Sequence, residues 1–443
     1  MYKISQYTMV CRVDGQPYAV NTYTGAIGRV DEALACALQS RTLDESAQSP
    51  EALEALKANG YLVPAALDEY QRILNAEAAA LVIPREGMSL VIAPTLGCNY
   101  KCKYCFEAGV VHRAMSAETE EQVVQFFLQC SQPPVKTIKV NWFGGEPLLA
   151  LDTIRRLSAR FIQHCEQQRV KYFSTMISNG YYLTAEVARE LAENCALRHV
   201  QITLDGPEAI YEENKGCAPG SYRRVIENIK AASQHLDITL RLNIAPQDYG
   251  LLSSYRKELQ QEFAGCKSVR LYLAEVREDW GPQMTVVPQS SAYYKVKLQF
   301  DRELDQAWPG ARGNLRPLRF DGPICGLIRK QNAVIGPKGE LYRCEHLLGR
   351  TEEVIGSCAE GLYHNAADQK FSSVGHLERC RTCPIMPLCM TECPHDTLQG
   401  AAERIDCESK ILSVQDAFAA KIRAEQLKQV EPRINAGDEI QFE

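Results

Sequence analysis

Cys98, Cys102 and Cys105 form a Cys-x3-Cys-x2-Cys run directly after the apolar segment Ser89–Thr95. Three thiolates so close in sequence can hold three corners of a cubane iron-sulfur cluster and leave its fourth iron without a protein ligand. Such an open iron can bind a small molecule. The other reading is a zinc knuckle, but structural zinc usually closes with four ligands, and only His112 lies at a natural spacing to be the fourth.

Three turns downstream carry residues suited to a polar ligand. In Trp142-Phe143-Gly144-Gly145-Glu146-Pro147 the paired glycines let backbone carbonyls approach a ligand ammonium, and a carboxylate beside them complements its charge. Ser178-Asn179-Gly180 and Thr203-Leu204-Asp205-Gly206-Pro207 close two further strand-like segments with hydroxyl, amide and carboxylate groups. Asx-Gly pairs are also plain turn formers, so their place in the chain is the added argument.

The segment Cys98-Asn99-Tyr100-Lys101-Cys102-Lys103-Tyr104-Cys105 resembles the radical SAM enzymes, including the aromatic Tyr104 before the last cysteine, and Gly144-Gly145-Glu146-Pro147 is similar to that family's Gly-Gly-Glu-Pro motif. The resemblance implies a 4Fe-4S cluster on Cys98, Cys102 and Cys105 whose open iron is chelated by S-adenosyl-L-methionine. Tyr104, Gly144, Gly145, Glu146, Ser178, Asn179, Thr203 and Asp205 would line the cofactor pocket. The family often carries an arginine shortly after the Asp-Gly-Pro turn, whereas this chain has Glu213-Asn214-Lys215; lysine keeps the charge without the bidentate fork.

A second group of cysteines reads Cys325-x13-Gly339-x4-Cys344, then Cys380-x2-Cys383-x5-Cys389-x3-Cys393, and last Cys407. All seven resemble the signature of the SPASM domain, which implies two auxiliary 4Fe-4S clusters and so three clusters in all. The resemblance assigns Cys325, Cys344 and Cys393 to one and Cys380, Cys383, Cys389 and Cys407 to the other. The first then has three cysteine ligands, because Ile328–Val334 holds no cysteine; His346 and Cys358 are the nearest candidates for a fourth, and an open iron there would suit a substrate thiolate. Zinc is the alternative for the Cys-x2-Cys pair.

These residues need a scaffold. Strand-like segments Ser89–Thr95, Thr137–Phe143, Tyr172–Ser178, His199–Leu204, Ile238–Ile244 and Ser268–Glu275 alternate with helical stretches such as Ala117–Cys130, Asp152–Gln168, Thr184–Asn194 and Ser221–Gln234. The alternation predicts an α/β fold, a partial (β/α)6 TIM-like barrel of parallel strands whose functional loops lie at the strands' carboxyl ends. Before it, Tyr7–Val13, Pro17–Asn21, Val30–Leu38 and Pro50–Ala58 read as short strands and then helices, with Gly60 at a helix end. The predicted domains are 1–85, a winged-helix-like unit; 86–310, the partial barrel; 311–425, the cysteine-rich SPASM region; and 426–443, a polar tail. In this position the first unit resembles the RiPP recognition element, which binds a precursor peptide's leader as an added strand.

At 443 residues, 45% hydrophobic and 23% charged, the chain reads as a globular protein of several domains. A net charge of −6 argues against nucleic acid or an anionic membrane as partner, and no apolar run reaches the roughly 18 residues of a membrane span. Eighteen cysteines without a secretion signal point to metal ligation and a cytoplasmic setting. The eight scattered ones (Cys11, Cys36, Cys130, Cys165, Cys195, Cys217, Cys266 and Cys358) read as small buried residues.

Taken with the resemblance, the expected activity is oxidative modification of a ribosomally made precursor peptide. One electron cleaves S-adenosylmethionine to a 5'-deoxyadenosyl radical, which abstracts hydrogen, and a cross-link forms, foremost a thioether. A one-electron reductant such as flavodoxin or ferredoxin is the second implied partner. The alternatives are an anaerobic sulfatase-maturing, formylglycine-forming enzyme, a carbon-carbon cross-linking maturase, and a non-catalytic iron-sulfur scaffold. No catalytic acid or base is assigned: Asp205, Glu275 and Glu146 each fit a pocket-lining or a structural place.

Overall fold

The computed structural model describes residues 1–83, 85–276, 291–313, 317–322, 325–329, 331–372, 375–391, 393–400, 403 and 405–426. At the start of the chain Asp14 and Gly15, with φ of 51° and 81°, make the two-residue turn that favours tight hairpins. They join β2 (Thr8–Val13) to β3 (Gln16–Asn21), and β4 (Ile27–Arg29) completes a three-stranded antiparallel sheet. β1 (Tyr2–Ile4) pairs instead with β5 (Leu62–Pro64). Between them lie α1 (Glu32–Ser40) and α2 (Pro50–Ala58). Ser49 caps α2 and Pro50 starts it; Gly60, at φ 78°, ends it, with Gly60 N donating to Lys57 O and Tyr61 N to Leu56 O. α3 (Glu69–Val82) leads on to the central sheet.

That sheet is built from β6 (Gly87–Ile92), β7 (Thr137–Trp142), β8 (Lys171–Ser178), β9 (Leu197–Leu204), β10 (Asp237–Ile244) and β11 (Val269–Glu275), parallel and side by side in chain order. α4 (Ala117–Cys130), α5 (Leu151–Gln168), α6 (Ala185–Asn194), α7 (Glu208–Lys215), α8 (Ser221–Ala232) and α9 (Leu252–Glu262) occupy the connections. Ser116 and Thr184 cap α4 and α6 through their hydroxyls. The sheet's helix-facing residues, among them Ile92, Val140, Trp142, Met176, Ile202, Leu240 and Leu271, are buried in one core. Each such side chain contributes about 1.5–3 kcal/mol through removal from water.

The predicted strands match within about two residues, except that the first stops at Ile92 instead of Thr95. Pro94 has no N–H to continue a ladder, and Thr95 bridges Ala114 across the following loop.

The C-terminal region extends the sheet past β6. α10 (Ser291–Ala307) comes first; then β12 (Ala333–Ile335) runs parallel to β6, and β13 (Glu340–Tyr342), β14 (Gly356–Ser357) and β15 (Gly361–Leu362) follow antiparallel. Short helices α11 (Ala366–Ser372), α12 (Met386–Cys389) and α13 (Pro394–Leu398) lead to α14 (Cys407–Gln426). Phe418, Ala419 and Ile422 of α14, with Ile385, pack on Met9, Cys11, Val13, Tyr18 and Val20, so the first sheet shares a core with the chain's last helix. The polar tail lies outside the described residues beyond Gln426. Among the described residues no helix is long and apolar enough to cross a membrane.

Candidate active site

The cysteine triplet occupies the loop leaving β6, and the glycine pair after β7 is shaped to that loop. A Cβ on Gly144, at φ 110°, would sit 2.1 Å from Thr95 O, and one on Gly145 would sit 2.5 Å from Gly97 O. Gly145 N donates to Thr95 O and Glu146 N to Gly97 O, so the turn is laid on the backbone that launches Cys98. The Glu146 carboxylate is fully buried and accepts from Ser178 Oγ at 2.9 Å, Asn179 N at 2.8 Å and Leu148 N at 3.0 Å. Burial pushes this carboxyl up to about 7 against those donors. It ties the end of β7 to the end of β8. Asn179 in turn donates from Nδ2 to Asn99 Oδ1 at 2.8 Å, with Cys98 Sγ 4.0 Å away.

Tyr104, Thr203, Asp205 and Lys215 come together as one buried network. Tyr104 Oη donates to Asp205 Oδ2. The Lys215 ammonium donates to Tyr104 Oη at 2.8 Å and Thr203 Oγ1 at 2.6 Å and lies 3.4 Å from Asp205 Oδ2. Burial works against that ammonium, but Asp205, Tyr104 and Cys102 outweigh it and hold the lysine well above its ordinary range. Lys215 thus donates to two protein oxygens beside a third, and the segment 213–216 is pinned to the cysteine loop, with Lys101 N and Lys103 N donating to Lys215 O and Asn214 O. Asp205 Oδ1 is buried and has no hydrogen-bond partner among the described residues.

Two residues here escaped the sequence reading. Asn243, on β10, donates to Tyr104 Oη at 3.2 Å; its signal was an amide inside the apolar strand Leu240–Ile244. Glu107 is a buried carboxyl that burial alone pushes up to about 8. His112 is exposed, and Glu275 accepts from Tyr249 Oη at 2.6 Å.

The thiols act on one another in three sets: Cys98 with Cys102 and Cys105; Cys344 with Cys325 and Cys393; Cys380 and Cys383 with Cys389 and Cys407. Burial raises the Cys98, Cys105, Cys344, Cys383 and Cys393 thiols, and backbone amides work against it: Tyr100 N, which donates to Cys98 Sγ at 3.4 Å, Glu107 for Cys105, His346 for Cys344, Ile385 for Cys383, and Asp396 with His395 for Cys393. Burial pushes Cys11, Cys130 and Cys165 up with no such amide. Amides directed at sulfur stabilise thiolate, the form that ligates metal, and tune iron-sulfur centres. Among the described residues no three His, Cys, Asp or Glu side chains could share a single metal ion. Sets of three or four thiolates are a donor set that fits a cluster, in which each thiolate binds its own iron.

Gly339, at φ 80°, turns β12 into β13, and a Cβ there would press on Gln122 and Cys358. Cys358 is buried in the main core, where Cys130 and Glu340 act on its thiol, whereas Cys344 packs against a separate apolar cluster. His346 is stacked on Phe106 at 4.6 Å between ring centroids.

This arrangement of parallel strands and cysteine loop is that of a radical SAM core, and residues 92–248 match the model of the Radical SAM superfamily. A cysteine-type anaerobic sulfatase-maturating enzyme of Clostridium perfringens (strain 13 / Type A) is 30% identical over 339 residues, 69% of this chain and 88% of that enzyme. The chain belongs to the radical SAM superfamily and is an oxidoreductase with an S-adenosylmethionine-binding core. A serine-type anaerobic sulfatase-maturating enzyme of Klebsiella aerogenes is 24% identical over 74% of this chain and 84% of its own length. Streptococcus suis SuiB, solved with S-adenosylmethionine and separately with precursor peptide SuiA, shares the fold; with the former, the TM-score is 0.53 at 18% identity over 88% of this chain and 95% of that one.

Proposed function

We propose that the chain oxidises a side chain of a peptide or protein by two electrons, and that the favoured reaction is conversion of a cysteine or serine to formylglycine. The observation that carries the reaction class is the similarity to a cysteine-type sulfatase-maturating enzyme over 88% of that enzyme's length. The thioether reading anticipated from the sequence stands second. One observation favours it: the strand-and-helix unit of residues 1–83, in a chain of which 88% aligns with SuiB, a protein solved with a precursor peptide bound.

In either reading Cys98, Cys102 and Cys105 would hold the cluster that chelates S-adenosylmethionine, and Cys325, Cys344, Cys393 and Cys380, Cys383, Cys389, Cys407 the two auxiliary clusters. When bound, the first cluster and the cofactor supply the one-electron cleavage that yields the hydrogen-abstracting radical. The residues of the chain orient and enclose. Gly144 and Gly145 set the cysteine loop's path, Glu146 fixes Ser178 and Asn179, and Lys215 holds Tyr104, Thr203 and Asp205 in one dry network that leaves Asp205 Oδ1 to accept from a ligand hydroxyl. A peptide would enter at the carboxyl ends of the strands, and an external reductant such as flavodoxin or ferredoxin would supply the first electron.

The test is anaerobic incubation of the reconstituted, reduced protein with S-adenosylmethionine and cysteine-containing peptides, read by mass spectrometry. Formylglycine replaces the thiol by a carbonyl that takes up a hydrazide. A thioether loses two hydrogens and its thiol no longer alkylates; a carbon-carbon link loses the same two with the thiol free. 5'-Deoxyadenosine formed beside an unchanged peptide would refute a peptide substrate of this kind.

A further inference from the structure

Phe106 follows Cys105 directly, His346 stands two residues after Cys344, and His395 two residues after Cys393. Their rings touch in series. Phe106 and His346 are stacked at 4.6 Å with planes 24° apart, and His346 meets His395 edge-on at 5.8 Å and 67°. Phe143, beside Gly144, backs Phe106 at 6.2 Å and 9°. The His395 side chain is 5% exposed, with Asp396 Oδ1 3.4 Å from its Nδ1. Around the contact, Val91, Leu96, Phe143, Val334, Leu347 and Leu348 form an apolar cluster against which both Phe106 and Cys344 pack. One partly buried ring contact thus spans the cysteine triplet and the Cys325, Cys344, Cys393 set.

We propose that His346 is a bridging ring between these two thiol sets, carrying electron exchange through Phe106 and His395, and not the fourth ligand of the three-cysteine set. The inference rests on the reading that both sets hold clusters. Two-electron oxidation of the substrate balances as follows. S-adenosylmethionine takes one electron and is cleaved to methionine and the radical, which takes one hydrogen atom from the substrate to give 5'-deoxyadenosine. The substrate radical then loses one electron and one proton. That electron, received at the auxiliary set, crosses the ring contact to the triplet and replaces the one consumed, so a single reducing equivalent supports repeated turnover.

The experiment compares wild type, His346→Phe, His346→Ala and Phe106→Leu as full-length, anaerobically reconstituted proteins. Iron content and electron paramagnetic resonance are recorded first, then freeze-quenched electron redistribution after sub-stoichiometric reduction. His346→Phe keeps a ring and is expected to exchange within about twofold of wild type, whereas His346→Ala and Phe106→Leu slow exchange by about tenfold or more with iron content unchanged. Products per electron supplied fall to about one in the alanine variant. Unchanged exchange in both His346→Ala and Phe106→Leu overturns the bridge. Lost iron or an altered auxiliary signal in His346→Phe overturns it in favour of ligation. A wild-type protein lacking the auxiliary signal refutes the cluster reading itself, and the bridge with it.

Discussion

Lys215→Met is the sharpest perturbation of the site's architecture. Lysine and aspartate side chains here are 3% and 0% exposed and 3.4 Å apart. At an effective dielectric of about 20 their gross attraction is about 5 kcal/mol. Methionine fills much of the same volume but leaves Asp205 buried with the Tyr104 hydroxyl on Oδ2 and, among the described residues, no donor on Oδ1. Removing one partner of a buried pair costs about 3–5 kcal/mol, most of it the stranded charge. Adding Asp205→Asn removes that charge, so the double variant is expected to lie only about 1–2 kcal/mol below wild type. Amide exchange measured by mass spectrometry over β9, α7 and residues 98–105 reads this locally, without requiring two-state unfolding. Protection should fall by roughly two to three and a half orders of magnitude in Lys215→Met and largely return in the double variant. A single variant within about fivefold of wild type, or a double variant no better than the single, would refute the idea that this lysine is held for Asp205 and Tyr104.

Gly144→Ala forces a Cβ to 2.1 Å from Thr95 O at a φ of 110°; a cost of at least about 3 kcal/mol is expected, with the triplet's paramagnetic signal lost while the auxiliary signals remain. Arg156 donates to both oxygens of Glu120 at 2.7 and 2.8 Å and holds that carboxyl below its usual range. A depressed carboxyl stabilises above its unfolded pKa and loses that contribution as pH falls through the folded one. Arg156→Met should therefore be less stable than wild type by about 0.5–1 kcal/mol near neutrality, and the gap should close as pH falls below the ordinary carboxylate range; a gap that widens in acid would count against the pair. Cys393→Ser is expected to lose iron from the three-cysteine set, whereas Cys358→Ser keeps the full complement, because Cys358 is buried in the main core and Cys344 packs against a separate cluster. Iron lost from Cys358→Ser would reverse that assignment.

Much of this molecule was legible as local pattern. Period-two burial in Thr137–Trp142 and hydroxyl caps at Ser116 and Thr184 depend on neighbouring residues, so the strand and helix order could be read along the chain. The cysteine spacing and the glycine pair were visible for the same reason: their chemistry is written within a few residues. Residue roles that depend on distant partners were not. That the Glu146 carboxylate joins the end of β7 to Ser178 and Asn179 could not be read along the chain. Lys215 looked like a weakened substitute for arginine, and only the fold brings it beneath Tyr104 and beside Asp205.

The sequence by itself determined the radical SAM core, the order of its parallel strands and which cysteines are patterned, because periodicity, turn chemistry and metal-ligand spacing are short-range properties. Tertiary structure alone decided that β12 extends the sheet beside β6, that α14 completes the core of the first sheet, and that Phe106, His346 and His395 meet. Those contacts join segments from about fifty to hundreds of residues apart. Their energy comes from burial and ring packing, which depend on shape in three dimensions and leave no periodic trace along the chain.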